Sequence, residues 1–345
     1  MKHGFRVLDA DLHTFEPPEL WERHLEARFR ASAPRIPAGK RYDARSHLEA
    51  MDVEGIDVAV LFGTRGRHVQ MRDDLDPQLA AAMARAHNDW TSEFCAADPA
   101  RLKFAAQIPY VDPGRAAREA ERAVRGLGAV AIIGNPNPVA GRHLHDACFE
   151  PLWETAEALG VPVCFHPTGV RGLRDDVGAR FAGHAAAETL TNAARNPLEL
   201  MLALASLTVG GVLQRHPALA CAFLEGGAGW LPWWLHRLDS TLAKFPEDVE
   251  LELPLEPSAY FLRQCFVAAD ADEPGLAQVL AALGDANLVF GSDYPHRDSL
   301  YPAAVETLAS REDLEPAAKA RILWDNAARL FARALNDRGV AALPA

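Results

Sequence analysis

Eight short apolar runs, each followed by a stretch with helical periodicity, constrain this 345-residue chain more than any other feature. They predict strands over Phe5–Ala10, Asp57–Phe62, Leu102–Ile108, Ala129–Ile133, Val161–Phe165, Ala218–Leu224, Cys265–Ala269 and Asn287–Phe290. The segments between and after them predict helices over Ser46–Glu54, Pro77–Ala97, Pro113–Arg125, Phe149–Leu159, Pro197–Gln214, Trp230–Phe245, Glu273–Leu283 and Pro302 to about Asn336. Ser46 reads as a cap and Gly55 as a stop. A continuous apolar run such as Ala129–Ile133 fits a strand buried on both faces of a parallel sheet. Strands alternating with helices imply such a sheet, and eight units imply an α/β (β/α)8 TIM barrel, for which roughly 250 residues is typical. The surplus fits long loops after strands one, five and six. No repeat, low-complexity tract or linker divides the chain, so residues 1–345 read as a single domain. A doubly wound sheet would also alternate, but no G-x-G-x-x-G turn follows any strand.

A barrel places its chemistry at the carboxyl ends of the strands, where the βα loops gather. Strand one leads into Asp9, Asp11 and His13, which share one side of an extended chain. Strand five delivers His166, strand six Glu225, and strand eight Asp293 with His296 three residues on. A lone histidine after apolar residues is usually a satisfied core residue. Four strand ends agreeing is a different matter. Asp11, His13, His166 and Asp293 form a nitrogen and oxygen shell suited to zinc, iron or manganese.

The remaining composition excludes other classes. Net charge is −12 with no long basic cluster, which argues against a nucleic-acid surface. Five cysteines without a C-x-x-C pair give neither a zinc knuckle nor a disulfide framework. No apolar run approaches the roughly 20 residues needed to span a bilayer. The expectation is a soluble cytoplasmic protein whose partner is a small molecule.

The segments DADLHTFEPPELW, VCFHP, FLEGGAGWLPWW and VFGSDYPH, in that order along nearly the whole chain, resemble amidohydrolase family 2. This group of metal-dependent hydrolases and decarboxylases includes aminocarboxymuconate-semialdehyde decarboxylase. The resemblance implies a metal-dependent barrel, often a homodimer and often with zinc, and ligands at Asp11, His13, His166 and Asp293. Two departures stand out. Strand one carries Asp-x-His where His-x-His or Glu-x-His is usual, and Glu225 stands where a proton-handling histidine is usual. A glutamate can serve as acid or base when its pKa is tuned.

Glu225 can also bind a metal. A second reading is therefore a dinuclear site in which Glu225, with His184 or His296, holds a second ion, as in non-haem iron oxygenases built on this fold. His184 otherwise reads as an ordinary loop histidine, and His296 as a residue supporting Asp293 or touching substrate. A non-catalytic barrel serving as a partner subunit would require a broken ligand set, and here the set is intact. In the main reading the metal acts as a Lewis acid on a substrate oxygen or on water. A decarboxylase and a hydrolase both need one metal and one proton carrier, Glu225 or Asp293, so sequence leaves them open.

Around this centre, Arg65, Arg67 and His68 form a basic loop after strand two that would suit a carboxylate substrate. Trp230, Trp233 and Trp234 could wall an aromatic pocket or pack against the barrel. His143 and His145 lie after strand four on the functional side, with Asp146 placed to cap the next helix. His24, His47 and His87 read as solvated, and His216 as a residue of the opposite face. Cys164 and Cys221 read as small barrel-interior residues.

Overall fold

The protein, described by a computed structural model over residues 4–167, 176–249 and 251–332, is an eight-stranded parallel barrel wrapped by helices. Its strands are β1 (Leu8–Thr14), β2 (Val58–Gly63), β3 (Leu102–Ala106), β4 (Ala131–Gly134), β5 (Val163–Phe165), β6 (Cys221–Phe223), β7 (Cys265–Ala269) and β8 (Leu288–Phe290), adjacent in that order. Every neighbouring pair from β1 to β8 is parallel. The segment after β8 returns to β1, where the Asp293 amide donates to the Asp11 carbonyl at 2.9 Å and the His13 amide to the Tyr294 carbonyl at 2.7 Å. Gly291 permits this approach, because a Cβ there would lie 2.8 Å from that of Asp11.

Alternation along the strands sorts the core into two layers. Ala10, Val60, Phe62, Ala105, Ile133, Cys164, Ala222, Phe266 and Val289 form the inner one. Ala59, Leu61, Phe104, Val163, Phe165, Phe223 and Phe290 pack outward against the helices. Cys164 is thus interior as expected, whereas Cys221 belongs to the outer layer.

Helix ends differ from expectation in instructive ways. The first long helix, Ala44–Glu54, is capped by Asp43, and Ser46 is the reciprocal partner of a capping box. Gly55 stops it in the left-handed conformation, as the sequence implies. The helix over Ala187–Thr208 begins ten residues before Pro197 and runs through it. A proline normally ends the helical pattern because it cannot donate to the carbonyl four residues back, which is why the prediction began there. A short helix, Arg65–Gln70, stands where the sequence implies a loop after β2, and a further short helix covers Pro257–Gln264. The end of the predicted C-terminal helix, beyond residue 332, lies outside the described residues. Among the described residues no helix is long and apolar enough to cross a membrane.

Candidate metal centre

A bulge in β1 shapes the site. Asp9 pairs with Ala59 but Leu12 pairs with Leu61, so β1 carries one residue more than β2 between these points. Bulges re-aim side chains. This one separates Asp9 from Asp11 and His13, although a regular strand would put all three on one side. Asp9 instead braces the backbone, its Oδ1 accepting from the amides of Asp11 at 3.0 Å and Ser292 at 3.1 Å. Burial pushes its carboxyl up to about 7.

Asp11 and His13 meet His166, Glu225 and Asp293 at the barrel mouth. The Nε2 atoms of His13 and His166 are 3.0 Å apart. Asp11 Oδ1 is 3.4 Å from each of them. Asp293 Oδ1 lies 3.3 Å from His13 Nε2, and Glu225 Oε2 lies 3.0 Å from His166 Nε2. The orientation of His166 follows from its neighbour. Its Nδ1 is 2.9 Å from the Pro167 carbonyl, which can only accept, so in the neutral ring the proton sits on Nδ1 and Nε2 presents a lone pair. That lone pair points at another imidazole nitrogen and at carboxylate oxygens, and Asp11 Oδ1 is buried without a hydrogen-bond donor. Converging lone pairs of this kind fit a cation, and a histidine fixed through its far nitrogen by a carbonyl is a common feature of metal sites.

Electrostatics agree with that fit. Burial disfavours ionisation of Asp11, but positive charge and donated protons at His166 and His13 outweigh it in the ion-free site and hold the carboxyl well below the usual range, a place a bound cation would take. Burial and the neighbouring His296 push His13 well below the ordinary imidazole value, leaving it neutral, the form that ligates a metal. Burial, then Asp11 and further carboxylates, raise Asp293. Glu225 is pushed up to about 7, chiefly by burial, with His166 opposing and Asp293 adding.

Local backbone aims the last two groups. Glu225 and Asp293 have φ of 56° and 54°, two of the three non-glycine residues in the left-handed region among the described residues. Such conformations cost on the order of 1 kcal/mol and collect at functional sites. For Glu225 the consequence is direct. Ala222 is interior and Phe223 exterior, so simple alternation would send residue 225 outward. The left-handed turn brings it into the mouth, where Asn196 Nδ2 donates to its Oε1 at 3.2 Å. Beside it opens a cavity of about 390 Å³ bordered by Asp11, Asn192, Asn196, Glu225, Asp270 and Asp293.

The other anticipated residues fall in different places. His296 joins the site, its Nδ1 2.6 Å from Asp293 Oδ1 and its Nε2 3.2 Å from Thr64 Oγ1. His184 is exposed and its Nδ1 accepts from the Ala186 amide at 3.0 Å, outside the cluster. Arg67 is buried and committed to the backbone, donating to the carbonyls of His166 at 3.2 Å and Pro167 at 3.0 Å. Arg65 lies over the Phe15 ring at 4.5 Å and donates to the Lys40 carbonyl at 3.1 Å. His68 is driven down to about 3, first by burial and then by Arg67, so it is neutral. Trp230 donates to the Gly227 carbonyl and Trp234 to the Met201 carbonyl, each at 2.8 Å. Trp233 is exposed, and no tryptophan borders the cavity.

His143 and His145 stack on each other beside a separate cavity of about 880 Å³. Asp146 caps no helix through its side chain, which accepts from the His143 amide instead. His216 pairs with Glu150 and Glu157.

Two histidines expected to be solvated are fully buried. His47 Nε2 lies 2.8 Å from the His13 carbonyl, and His87 Nε2 lies 2.8 Å from Glu16 Oε1. Glu16 also accepts from the amides of Thr64 and Gly66, at 3.0 and 2.8 Å. Thr64, Asn196, Glu16 and His47 are the supporting residues that sequence reading missed. Only Glu16 offered a signal, as an acidic residue in the DADLHTFE segment.

The family model for amidohydrolases matches residues 9–333. The 2-amino-3-carboxymuconate-6-semialdehyde decarboxylase of Dictyostelium discoideum is 25% identical over 309 residues, 84% of this chain and 82% of the relative. The gamma-resorcylate decarboxylase of Polaromonas sp. strain JS666 is 27% identical over 300 residues, covering 82% and 86%. Among solved structures, the dihydroxybenzoic acid decarboxylase from Polaromonas sp. JS666, with bound manganese and the inhibitor 2-nitroresorcinol, superposes with a TM-score of 0.71. It is 23% identical, and the match covers 95% of this chain and 97% of that one, a likeness of fold.

Proposed function

The chain belongs to the amidohydrolase family, and on that premise we propose that it is a metal-dependent decarboxylase of a small aromatic carboxylate. One divalent ion would be held by Asp11, His13, His166 and Asp293. The observation that carries the reading is the meeting of the His13 and His166 Nε2 atoms, 3.0 Å apart, over the donor-less Asp11 Oδ1. The decarboxylases among its relatives favour this reaction over hydrolysis. A dinuclear oxygenase is less well supported, because His184 belongs to neither cluster of candidate ligands and accepts from the Ala186 amide, and both ring nitrogens of His296 are engaged.

When bound, the ion supplies a Lewis acid for a carboxylate or phenolate oxygen of the substrate. The protein's own groups do the rest. Asp11, His13 and His166 are buried and fixed from behind, so the site is ordered before substrate arrives. Glu225, raised to about 7 by burial in the metal-free site, is a carboxyl that can carry a proton, and it faces the cavity. It gives that proton to the ring carbon bearing the carboxylate. The bond from this carbon to the carboxylate then breaks, its electron pair stays on the ring, and CO2 leaves. Glu225 regains its proton from solvent. The carboxylates around the cavity would repel a substrate anion, so its charge must be met by the ion rather than by Arg67.

Manganese, present in the Polaromonas relative, and zinc, implied by the family resemblance, are the ions to supply. A homodimer in the cytoplasm completes the reading. The test is to load the purified protein with each ion, measure metal per chain, and assay CO2 release from hydroxylated benzoates such as 2,6-dihydroxybenzoate. One ion per chain with CO2 release is expected. A fully loaded protein that releases no CO2 from any of them but hydrolyses esters or amides would replace decarboxylation by hydrolysis.

A further inference from the structure

Thr64, on the loop after β2, stands between two imidazoles of the mouth. Its Oγ1 is 3.0 Å from His13 Nδ1 and 3.2 Å from His296 Nε2. A hydroxyl has one proton to donate and two lone pairs. It can therefore donate to only one of the two nitrogens, and the other must donate to it. Thr64 is 7% exposed, so water is a poor substitute partner. The facing nitrogens of His13 and His296 consequently take opposite states, one N–H and one lone pair.

The metal-binding reading fixes which is which. With Nε2 of a neutral His13 turned to the ion, its proton sits on Nδ1 and goes to Thr64 Oγ1. The Thr64 hydroxyl then donates to His296 Nε2, and His296 donates from Nδ1 to Asp293 Oδ1, 2.6 Å away. Both nitrogens of His296 are thereby occupied. This matters because His296, with His13, Glu225 and Asp293, forms a second group whose donor atoms lie within 4.8 Å of one another. Its ring lies only 4.1 Å from that of His13, tilted by 31°.

We propose that Thr64, by capping His296 Nε2, keeps the mouth to a single ion. The threonine is itself held rigid. Glu16, buried and paired with His87, accepts from the Thr64 amide at 3.0 Å and from the Gly66 amide at 2.8 Å. The inference rests on the single-ion reading above and goes beyond it, assigning the ion count to one hydroxyl.

Thr64→Val removes the hydroxyl at nearly constant shape, Thr64→Ala removes it with less bulk, and Thr64→Ser retains it. Each protein is equilibrated with excess Mn²⁺, gel-filtered and analysed for metal. In parallel, long-range ¹⁵N NMR of the Zn²⁺-loaded, histidine-labelled proteins reads the ring tautomers. Wild type and Thr64→Ser should bind one ion with His296 protonated on Nδ1 and hydrogen-bonded at Nε2. Thr64→Val and Thr64→Ala should rise toward two ions, with His296 Nε2 moving to a metal-bound shift. If wild type binds one ion but the Val and Ala variants keep both the count and the tautomer, the inference is overturned alone. The same follows if those variants lose the ion while still folded, since Thr64 would then serve His13 only. A wild type that binds no ion removes the single-ion reading together with it, and one that binds two shows that the cap does not exclude the second.

Discussion

Replacing Glu225 by Gln separates a proton carrier from a metal ligand. The amide keeps the shape of the side chain. Its oxygen can accept from Asn196 Nδ2, as Glu225 Oε1 does at 3.2 Å, while its NH2 takes the place of Oε2, 3.0 Å from His166 Nε2. The lone pair of His166 would accept from that NH2 in the metal-free protein, so the fold should be undisturbed. What is lost is the titrating group. General acid catalysis typically contributes a factor of about 10²–10⁴, equivalent to about 3–5 kcal/mol of barrier, and kcat should fall by that factor. Metal content should stay at the wild-type value, because in the proposed site Asp11, His13, His166 and Asp293 would complete the shell without it. The pH profile gives an independent check. Glu225 is raised to about 7 in the metal-free site, mainly by burial, and the proposed mechanism requires its protonated form. Wild-type kcat/KM should therefore fall as pH rises through the Glu225 pKa, which in the loaded enzyme lies below about 7 because the bound cation opposes the effect of burial. That limb should be absent from Glu225→Gln. Initial rates of CO2 release from pH 5 to 9, with metal analysis of both proteins, settle the question. A variant with wild-type kcat, or one that loses an equivalent of metal, would refute the role of proton carrier.

His166→Ala should lose bound metal and activity together while circular dichroism and the melting transition report an intact barrel, because the large core does not depend on the ion as a zinc finger does; full metal occupancy in that variant would remove His166 from the ligand set. Arg67→Ala should lower stability and metal affinity rather than raise KM alone. It takes the Arg67 donor from the buried carbonyl of His166, at about 1–3 kcal/mol, and leaves the Pro167 carbonyl with His166 Nδ1 alone; denaturant unfolding with a metal titration measures both effects.

Much of the barrel was legible because its signals are local. A strand buried on both faces must be apolar throughout, and Ala131–Gly134 and Cys265–Ala269 are. Gly55 and Gly160 mark helix ends by a conformation that glycine adopts without a steric penalty. Where the reading slipped, tertiary contacts had overruled local preference. Asp43 and Ser46 both suit a helix start, and the capping box uses the two together. Pro197 interrupts the helical hydrogen bonds but not the helix, whose buried face continues through Glu199, Leu200 and Leu204.

The site was legible to the extent that a strand end determines where a side chain goes. His166 follows the interior parity of Cys164 and arrives where alternation sends it. Glu225 does not: it follows Phe223, an outward residue, and only its left-handed backbone turns it back into the mouth. The bulge in β1 acts in the opposite sense, detaching Asp9 from a triplet that alternation would have kept together. The supporting residues are harder still, since Thr64, His47 and Asn196 matter through partners 51, 34 and 29 positions away in sequence. Arg67 shows why residue type misleads. A guanidinium in a basic loop over the mouth suggests an anion site, yet its terminal nitrogens clamp the carbonyls at the end of β5. Its charge still serves the centre: Glu225, Asp11 and Glu16 are among the groups that favour its charged form against the cost of burial. Arg67 therefore offsets part of the negative charge at the mouth through the field while its hydrogen bonds go to the backbone.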